Sequence, residues 1–217
     1  MKKAIKAEEA AALIPDGASL MIGGFMTVGS PLRLIQALVE RGVKDLTIIG
    51  NDAGLPGKGM GALVRAGAVR KAIMTHIGLN PEIQEKMISG EIEVELVPQG
   101  TLVERIRAAG TGLGGVLTAT GIGTPVEDGK QKIDVDGKTY LLEKPLHADF
   151  ALLSCFQADY NGNLSYALTA RNFNPAMALA GKTVIVEPDL IVPVGVIPPD
   201  AVHTPGVLVD HLLGRAA

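Results

Sequence analysis

An open α/β sheet, mostly parallel and with helices on both faces, is the fold class the sequence predicts, and three observations predict it. Apolar strand-like runs alternate with amphipathic stretches along most of the 217 residues, the pattern of repeated strand–helix–strand units with right-handed crossovers. Aromatics make up 3% of the chain against 47% hydrophobic residues, with no tryptophan. The core must therefore be Val, Ile, Leu, Ala and Met, as in strands buried on both faces of a parallel sheet. The 27 glycines gather where strands end and in one central segment. No linker or fixed-period repeat divides the chain, so residues 1–217 read as a single domain with a glycine-rich and hairpin subregion at 110–145.

The elements follow in order. Ala18–Ile22 reads as a strand. Ser30 as N-cap, Pro31 at the first helical position and Gly42 past the end predict a helix over Pro31–Arg41. Its Leu34, Ile35, Leu38 and Val39 share one face. Asp45–Ile49 is the next strand, Met60–Ala66 a short helix and Val69–Thr75 a third strand. Asn80 caps a helix over Pro81–Ser89 that Gly90 stops, and Ile92–Val97 is a fourth strand. Thr101 with Glu104 three residues on has the form of a capping box that opens the next helix. Regularity then breaks at Gly110–Gly123, and Asp136-Gly137 between Lys132–Val135 and Lys138–Leu142 signals a hairpin. A strand over Asp149–Phe156, a turn at Asn161-Gly162-Asn163, a helix near Pro175–Ala180 and a strand at Thr183–Val186 follow. The proline-rich tail is expected to wrap the surface before a last strand near Val207–Val209.

Composition excludes several function classes. A net charge of −3 offers no clustered cations to neutralise nucleic-acid phosphates. Three tyrosines and four phenylalanines make no base-stacking platform. The single cysteine, Cys155 in an apolar run, forms no disulfide framework or multi-cysteine zinc pattern and reads as a small buried hydrophobe. His76, His147, His203 and His211 show no ligand spacing, so no metal is expected. Glu8, Glu9 and Asp16 interrupt any export-signal core, and no apolar run approaches the roughly 18 residues that cross a membrane. A cytoplasmic location is the expectation.

The densest signal is Ser19–Pro31: a strand into Gly23-Gly24-Phe25, a loop Met26-Thr27-Val28-Gly29, then Ser30-Pro31 opening a helix. Such a loop can act as an anion cradle, since glycines admit a ligand to backbone amides and a helix N-terminus favours negative charge. It can equally be a tight connection that serves packing alone. The spacing lacks the dinucleotide fingerprint. The Gly-Lys-Thr triplets at Gly137 and Gly181 lack the phosphate-loop glycine five residues earlier, where Lys132 and Ala176 stand. Asn51-Asp52, Thr75-His76 and Pro98-Gln99-Gly100 all fall at C-terminal strand ends, the rim where open α/β sheets bind ligands. Each taken alone reads as a turn or cap. Their convergence favours a binding rim. No serine elbow, paired cysteine or isolated carboxylate pair supplies a nucleophile.

Asp16–Pro31 resembles the signature of family I CoA transferases: Asp-Gly, a short apolar run, Gly-Gly-Phe, then Gly-x-Pro. Gly50-Asn51-Asp52-Ala53-Gly54, Gly90–Leu102 around Pro98-Gln99-Gly100, Thr118–Thr124 and Ala170-Arg171-Asn172-Phe173-Asn174-Pro175 are similar to further family motifs. The resemblance runs through nearly the whole chain in order. It is closest in kind to the alpha (A) subunit of the acetate/butyrate–acetoacetate (3-oxoacid) type. Gly-Gly-Phe-Met and Thr75-His76-Ile77-Gly78 favour that branch over fused succinate-type enzymes. Ala119 departs from the family pattern, which has proline there.

The resemblance implies a ping-pong transfer of CoA between an acyl-CoA and a free carboxylic acid. The glutamate nucleophile would come from a beta subunit within an alpha2-beta2 heterotetramer, and CoA would be a co-substrate with no permanently bound cofactor. It assigns CoA contacts to Gly23, Gly24, Phe25, Met26, Thr27, Val28 and Gly29. Asn51 and Gln99 would line the substrate side, with Gln99 able to donate to an oxyanion. The residues themselves leave two other readings open, a sugar-phosphate isomerase of the same broad fold and a metabolite-sensing domain.

Overall fold

The computed structural model describes residue 2 and residues 4–214. The elements run β1 (Ala4–Ile5), α1 (Ala7–Ala12), β2 (Ser19–Ile22), α2 (Leu32–Arg41), β3 (Leu46–Asp52) and α3 (Met60–Arg65). Then come β4 (Val69–His76), α4 (Pro81–Ile88), β5 (Glu93–Leu96) and α5 (Gln99–Gly110). The second half holds β6 (Val116–Thr118), β7 (Lys132–Val135), β8 (Lys138–Glu143), β9 (Ala148–Asp159), β10 (Leu164–Ser165), α6 (Asn174–Ala180), β11 (Gly181–Val192) and β12 (His211–Leu213). The main sheet has the order β1-β12-β11-β9-β2-β3-β4-β5, and β10 pairs with β9. Every pairing in it is parallel except β10 with β9. The expected open α/β sheet is therefore the observed one, and it joins the two halves of the chain through β2 against β9.

Alternation along the strands splits the core between the two faces. Leu20, Ile22, Leu46, Ile48, Ala72 and Met74 pack with Leu34, Ile35 and Leu38 of α2 and Leu63 and Val64 of α3. Met21, Ile49, Ile73, Leu153 and Val186 face the other way, against Leu102 and Ile106 of α5 and Met177 of α6. The first layer buries only aliphatic side chains and the second adds just Tyr166 and Phe173, so burial of mainly aliphatic area at about 25 cal/mol per Å² holds the layers together.

Four expectations about helix and strand ends need correction. Ser30 does not cap α2; Pro31 occupies the N-cap, and the Ser30 hydroxyl turns back to donate to the Gly23 carbonyl at 2.9 Å. The carboxylate of Glu187 on β11 caps α2 instead, accepting from the Arg33 amide at 3.2 Å and the Leu34 amide at 3.0 Å. The Arg33 guanidinium holds that carboxylate at 3.2 Å. A cap of this kind is worth about 1 kcal/mol. The Thr101 capping box is not formed either. α5 begins two residues earlier, at Gln99 behind Pro98, so Thr101 lies inside the first turn with its hydroxyl buried and unpartnered. Glu104 pairs instead with Arg107 at 3.1 Å.

The last strand is His211–Leu213, and residues 206–208 form a 3-10 turn. That strand is parallel to β11 through Ile185↔His211 and Val186↔Leu212. β11 itself runs to Val192, straight through Pro188. Proline is tolerated there because β12 covers only Ile185 and Val186, which leaves the Pro188 position without a ladder bond to donate.

Other punctuation holds as read. Gly42 ends α2 in the left-handed region at φ 73°, and the Asn80 side chain caps α4 by accepting from the Glu82 amide at 3.1 Å. Asp136 and Gly137, at φ 49° and 74°, make the two-residue turn between β7 and β8. These strands join β6 in a separate antiparallel sheet of order β6-β8-β7. Glu143, at the end of β8, is 2% exposed. It is neutralised by Lys130 at 2.5 Å and flanked by Arg105 of α5 at 3.9 Å, which ties this small sheet to the main body.

Candidate functional site

β2, β3, β4 and β5 are parallel, so the segments after them emerge on one rim. The first, Gly23–Ser30, folds into a closed turn. The Phe25 amide donates to the Val28 carbonyl at 3.0 Å and the Val28 amide returns to Phe25 at 2.9 Å. Between them Met26 and Thr27 stand at φ 49° and 70°. Two adjacent non-glycine residues in the left-handed region, one of them β-branched, are strained, and such strain clusters at functional sites. Their neighbours hold them there. The Asp52 carboxylate accepts from the Met26 amide at 2.9 Å, and the Thr27 methyl packs over Gly59.

A second turn of the same construction follows β3, closed by a bridge between Leu55 and Lys58. Two close approaches explain the glycines of the first turn. A Cβ at Gly23 would lie 1.9 Å from Asn174 Oδ1, and one at Gly29 would lie 2.4 Å from the Ala170 carbonyl. Asn174, fully buried, spans the gap: its Nδ2 donates to the carbonyls of Gly29 at 3.0 Å and Ala170 at 2.9 Å.

The anion-cradle geometry is only partly present. The amides of Gly23, Phe25, Met26, Val28 and Ser30 are bonded within the protein; among the described residues those of Gly24, Thr27 and Gly29 have no partner, Gly24 being buried and the other two part-exposed. The N-terminus of α2, which would otherwise favour a bound anion, is already filled by Glu187. The side chains of Met26 and Val28 are 41% and 51% exposed, so the tip of the turn offers apolar contact as well as amides.

Beside this turn lies a chain of amides. Asn51, 2% exposed, uses Oδ1 to accept from Gln99 Nε2 at 2.8 Å and from the Thr75 hydroxyl at 2.8 Å. The same hydroxyl lies 2.6 Å from the Asn51 carbonyl, and Asn51 Nδ2 reaches Asn172 Oδ1 at 3.4 Å. Four sequence-distant segments meet here: the ends of β3 and β4, the start of α5 and the turn around Asn172. Gln99 is exposed, and one of its two amide hydrogens remains free to face a ligand.

Asp52 is the buried carboxylate of the rim, 1% exposed. Burial raises its pKa, opposed by the amides of Met26 and Gly54 and by the nearby His76. Cys155 is also buried; burial, with the charge of Asp189, pushes its thiol far up, so it offers no thiolate. Among the described residues no group of three His, Cys, Asp or Glu is placed to hold a metal ion, and no helix is long and apolar enough to cross a membrane.

The coenzyme A transferase family model matches residues 4–214. The chain belongs to the coenzyme A transferase family. It is 53% identical to the acetate CoA-transferase subunit alpha of Escherichia coli K12 over 97% of this chain and 96% of that one. With the acetoacetyl-CoA:acetate/butyrate CoA transferase alpha subunit of Clostridium acetobutylicum it shares 48% identity over 99% of each chain. An acyl-CoA transferase of Escherichia coli O157:H7, solved as a thioester complex with CoA, superposes with a TM-score of 0.88 at 25% identity. The match covers 99% of this chain and 47% of that longer one.

In this CoA transferase chain the structure brings together the residues that the sequence singled out. Asn51 and Gln99 are hydrogen-bonded, and the Gly23–Gly29 turn is joined to the same strand end through Asp52. His76 stands exposed beside Asp52 and takes no part in the amide chain. Sequence reasoning placed Asp52 and Thr75 on the rim without giving either a role, and did not place Asn172 and Asn174 there. Asp52 and Thr75 stood in dipeptides at strand ends that had been noted. Asn172 and Asn174 lay in a motif whose role no spacing revealed.

Proposed function

We propose that this chain is the alpha subunit of a short-chain acyl or 3-oxoacid CoA-transferase, working with a beta subunit in the cytoplasm as an alpha2-beta2 assembly. The names of the relatives support the subunit reading, and the rim supports the division of labour. The single observation that carries it is the state of Asp52. The Asp52 carboxylate is buried and engaged with the Met26 amide, which supports a nucleophile supplied by another chain.

On this reading a glutamate carboxylate of the partner attacks the thioester carbonyl and expels CoA thiolate, leaving an acyl anhydride. The thiolate then attacks the glutamyl carbonyl, giving a glutamyl-CoA thioester and the free acid. A second acid reverses both steps and leaves with CoA. The chain's own residues bind and orient. The free amides of Gly24, Thr27 and Gly29, with Met26 and Val28, would contact CoA, and the free Gln99 hydrogen would stabilise the developing oxyanion. Asn51 holds Gln99 in place. CoA is a substrate here. Acetate, butyrate and acetoacetate are the acids that the relatives' names suggest.

Mixing tests the proposal. The chain alone should show no turnover with acetoacetyl-CoA and acetate, and the co-expressed alpha–beta complex should reach roughly 1 s⁻¹ or more. Equal activity with and without the partner would end it.

A further inference from the structure

The segment Leu168–Phe173 joins both halves of the rim, yet nothing above gives a task to the residue at its centre, Arg171. The backbone on either side is fixed. Leu168 and Asn172 stand at φ 51° and 35°, a conformation that non-glycine residues adopt only when their surroundings hold them there. The carbonyl of Ala170 accepts from Asn174 Nδ2 at 2.9 Å, and the same Nδ2 group donates to Gly29 at 3.0 Å. On the other flank, Asn172 Oδ1 accepts from the Phe173 amide at 2.8 Å and from Asn51 Nδ2 at 3.4 Å. Arg171 is thus placed between the glycine turn and the Asn51–Gln99 pair.

Its charge is unused. Arg33, Arg41, Arg65, Arg105 and Arg107 each pair with a carboxylate. Among the described residues Arg171 makes no ion pair and no side-chain hydrogen bond, and it is exposed. A guanidinium is a planar fork of donors suited to carboxylate or phosphate oxygens. Arg171 therefore sits on a doubly anchored, strained segment whose two flanks touch the rim, and its exposed guanidinium, unpaired among the described residues, is available to an anion.

We propose that Arg171 is a substrate-binding residue that receives an anionic oxygen group of the substrates, either the carboxylate of the acid or a phosphate of CoA. The inference rests on the transferase reading of the rim. Asn172 and Ala170 serve as positioning residues that set where the fork points.

The test uses the co-expressed alpha–beta complex carrying Arg171→Met, which removes the charge and keeps the reach, and Arg171→Lys, which keeps charge without the fork. KM is measured separately for acetate and for acetoacetyl-CoA, whose acyl group has no carboxylate. Arg171→Met should raise one of these by about 10- to 100-fold, the scale of a lost charge-assisted hydrogen bond, with Arg171→Lys in between. A rise for acetate identifies the carboxylate as the ligand, and a rise for acetoacetyl-CoA identifies the phosphate. Both values within about threefold of wild type in an assembled complex overturn the proposal. So does failure of both variants to assemble, which would assign Arg171 to the subunit contact. Thermal shifts of wild-type and variant complexes with CoA and with acetate read the same contact without turnover. A wild-type complex that transfers no CoA therefore counts against the transferase reading alone, while an equal ligand shift in both complexes still counts against Arg171.

Discussion

Gln99 Nε2 donates to Asn51 Oδ1 at 2.8 Å, which links the first residue of α5 to the end of β3 across 48 positions of sequence. The bond leaves one Gln99 hydrogen free and fixes its direction. Asn51 is locked in turn by the Thr75 hydroxyl at 2.8 Å.

That geometry gives the first prediction. Gln99→Ala should lower kcat of the assembled complex by about 10²–10³, the usual effect of removing one oxyanion donor, while acyl-CoA binding and assembly persist. Asn51→Ala should lower kcat in the same sense through loss of the orienting partner. A Gln99→Ala complex with kcat within about threefold of wild type would return Gln99 to the role of a turn residue.

The second prediction concerns the bond between Asp52 and the Met26 amide. Asp52→Ala leaves that amide without its partner and releases a turn held at φ 49° and 70°. The KM for acyl-CoA should rise about tenfold and stability should fall by about 1–3 kcal/mol, the cost of a buried unpaired group. Denaturant unfolding and steady-state kinetics of the complex measure both. An unchanged KM would separate the turn from CoA binding.

Asp149 carries the third. Its carboxylate accepts from the Ser19 hydroxyl at 2.6 Å and the Ser19 amide at 3.1 Å, and from Lys182 at 3.0 Å. The Ser19 bonds are the main cause that lowers its pKa from 3.8 to about 2. A carboxyl with a depressed folded-state value contributes stability above its unfolded value and loses it as pH falls. The β2–β9 junction should therefore weaken as pH falls from 3.8 to about 2. Solvent screening limits the effect to about 1 kcal/mol. Asp52 acts with the opposite sign: its raised value makes stability fall as pH rises above 3.8. Acid unfolding of Asp149→Ala should show a shallower slope below pH 3.8 than wild type; an unchanged slope would contradict the assignment.

The first half of the fold was legible because its signals are local. Leu34, Ile35 and Leu38 of α2, the Asn80 cap and the glycine stops act within a few residues of where they stand. The errors arose where a partner distant in sequence decided the local outcome. Ser30 had the right chemistry for an N-cap, but Glu187, more than 150 positions away, took the amides. Thr101 and Glu104 had capping-box spacing, but α5 started at Gln99, where the amide chain to Asn51 begins. The expected strand stopped at Val186, short of Pro188, but β11 runs through that proline because β12 pairs only with Ile185 and Val186. The site was legible in part for the same reason. Strand-end dipeptides pointed to Asn51 and Gln99, whereas Asn174 is recognisable only once Gly23 and Gly29 are seen packed against it.

The central claim is that this chain binds and orients while its partner supplies the nucleophile. Incubation of the alpha–beta complex with acetoacetyl-CoA, rapid denaturation and intact-mass analysis of each chain tests it most directly. The account predicts a CoA thioester adduct on the beta chain and an unmodified mass for this one. An adduct on a carboxylate of this chain would contradict it.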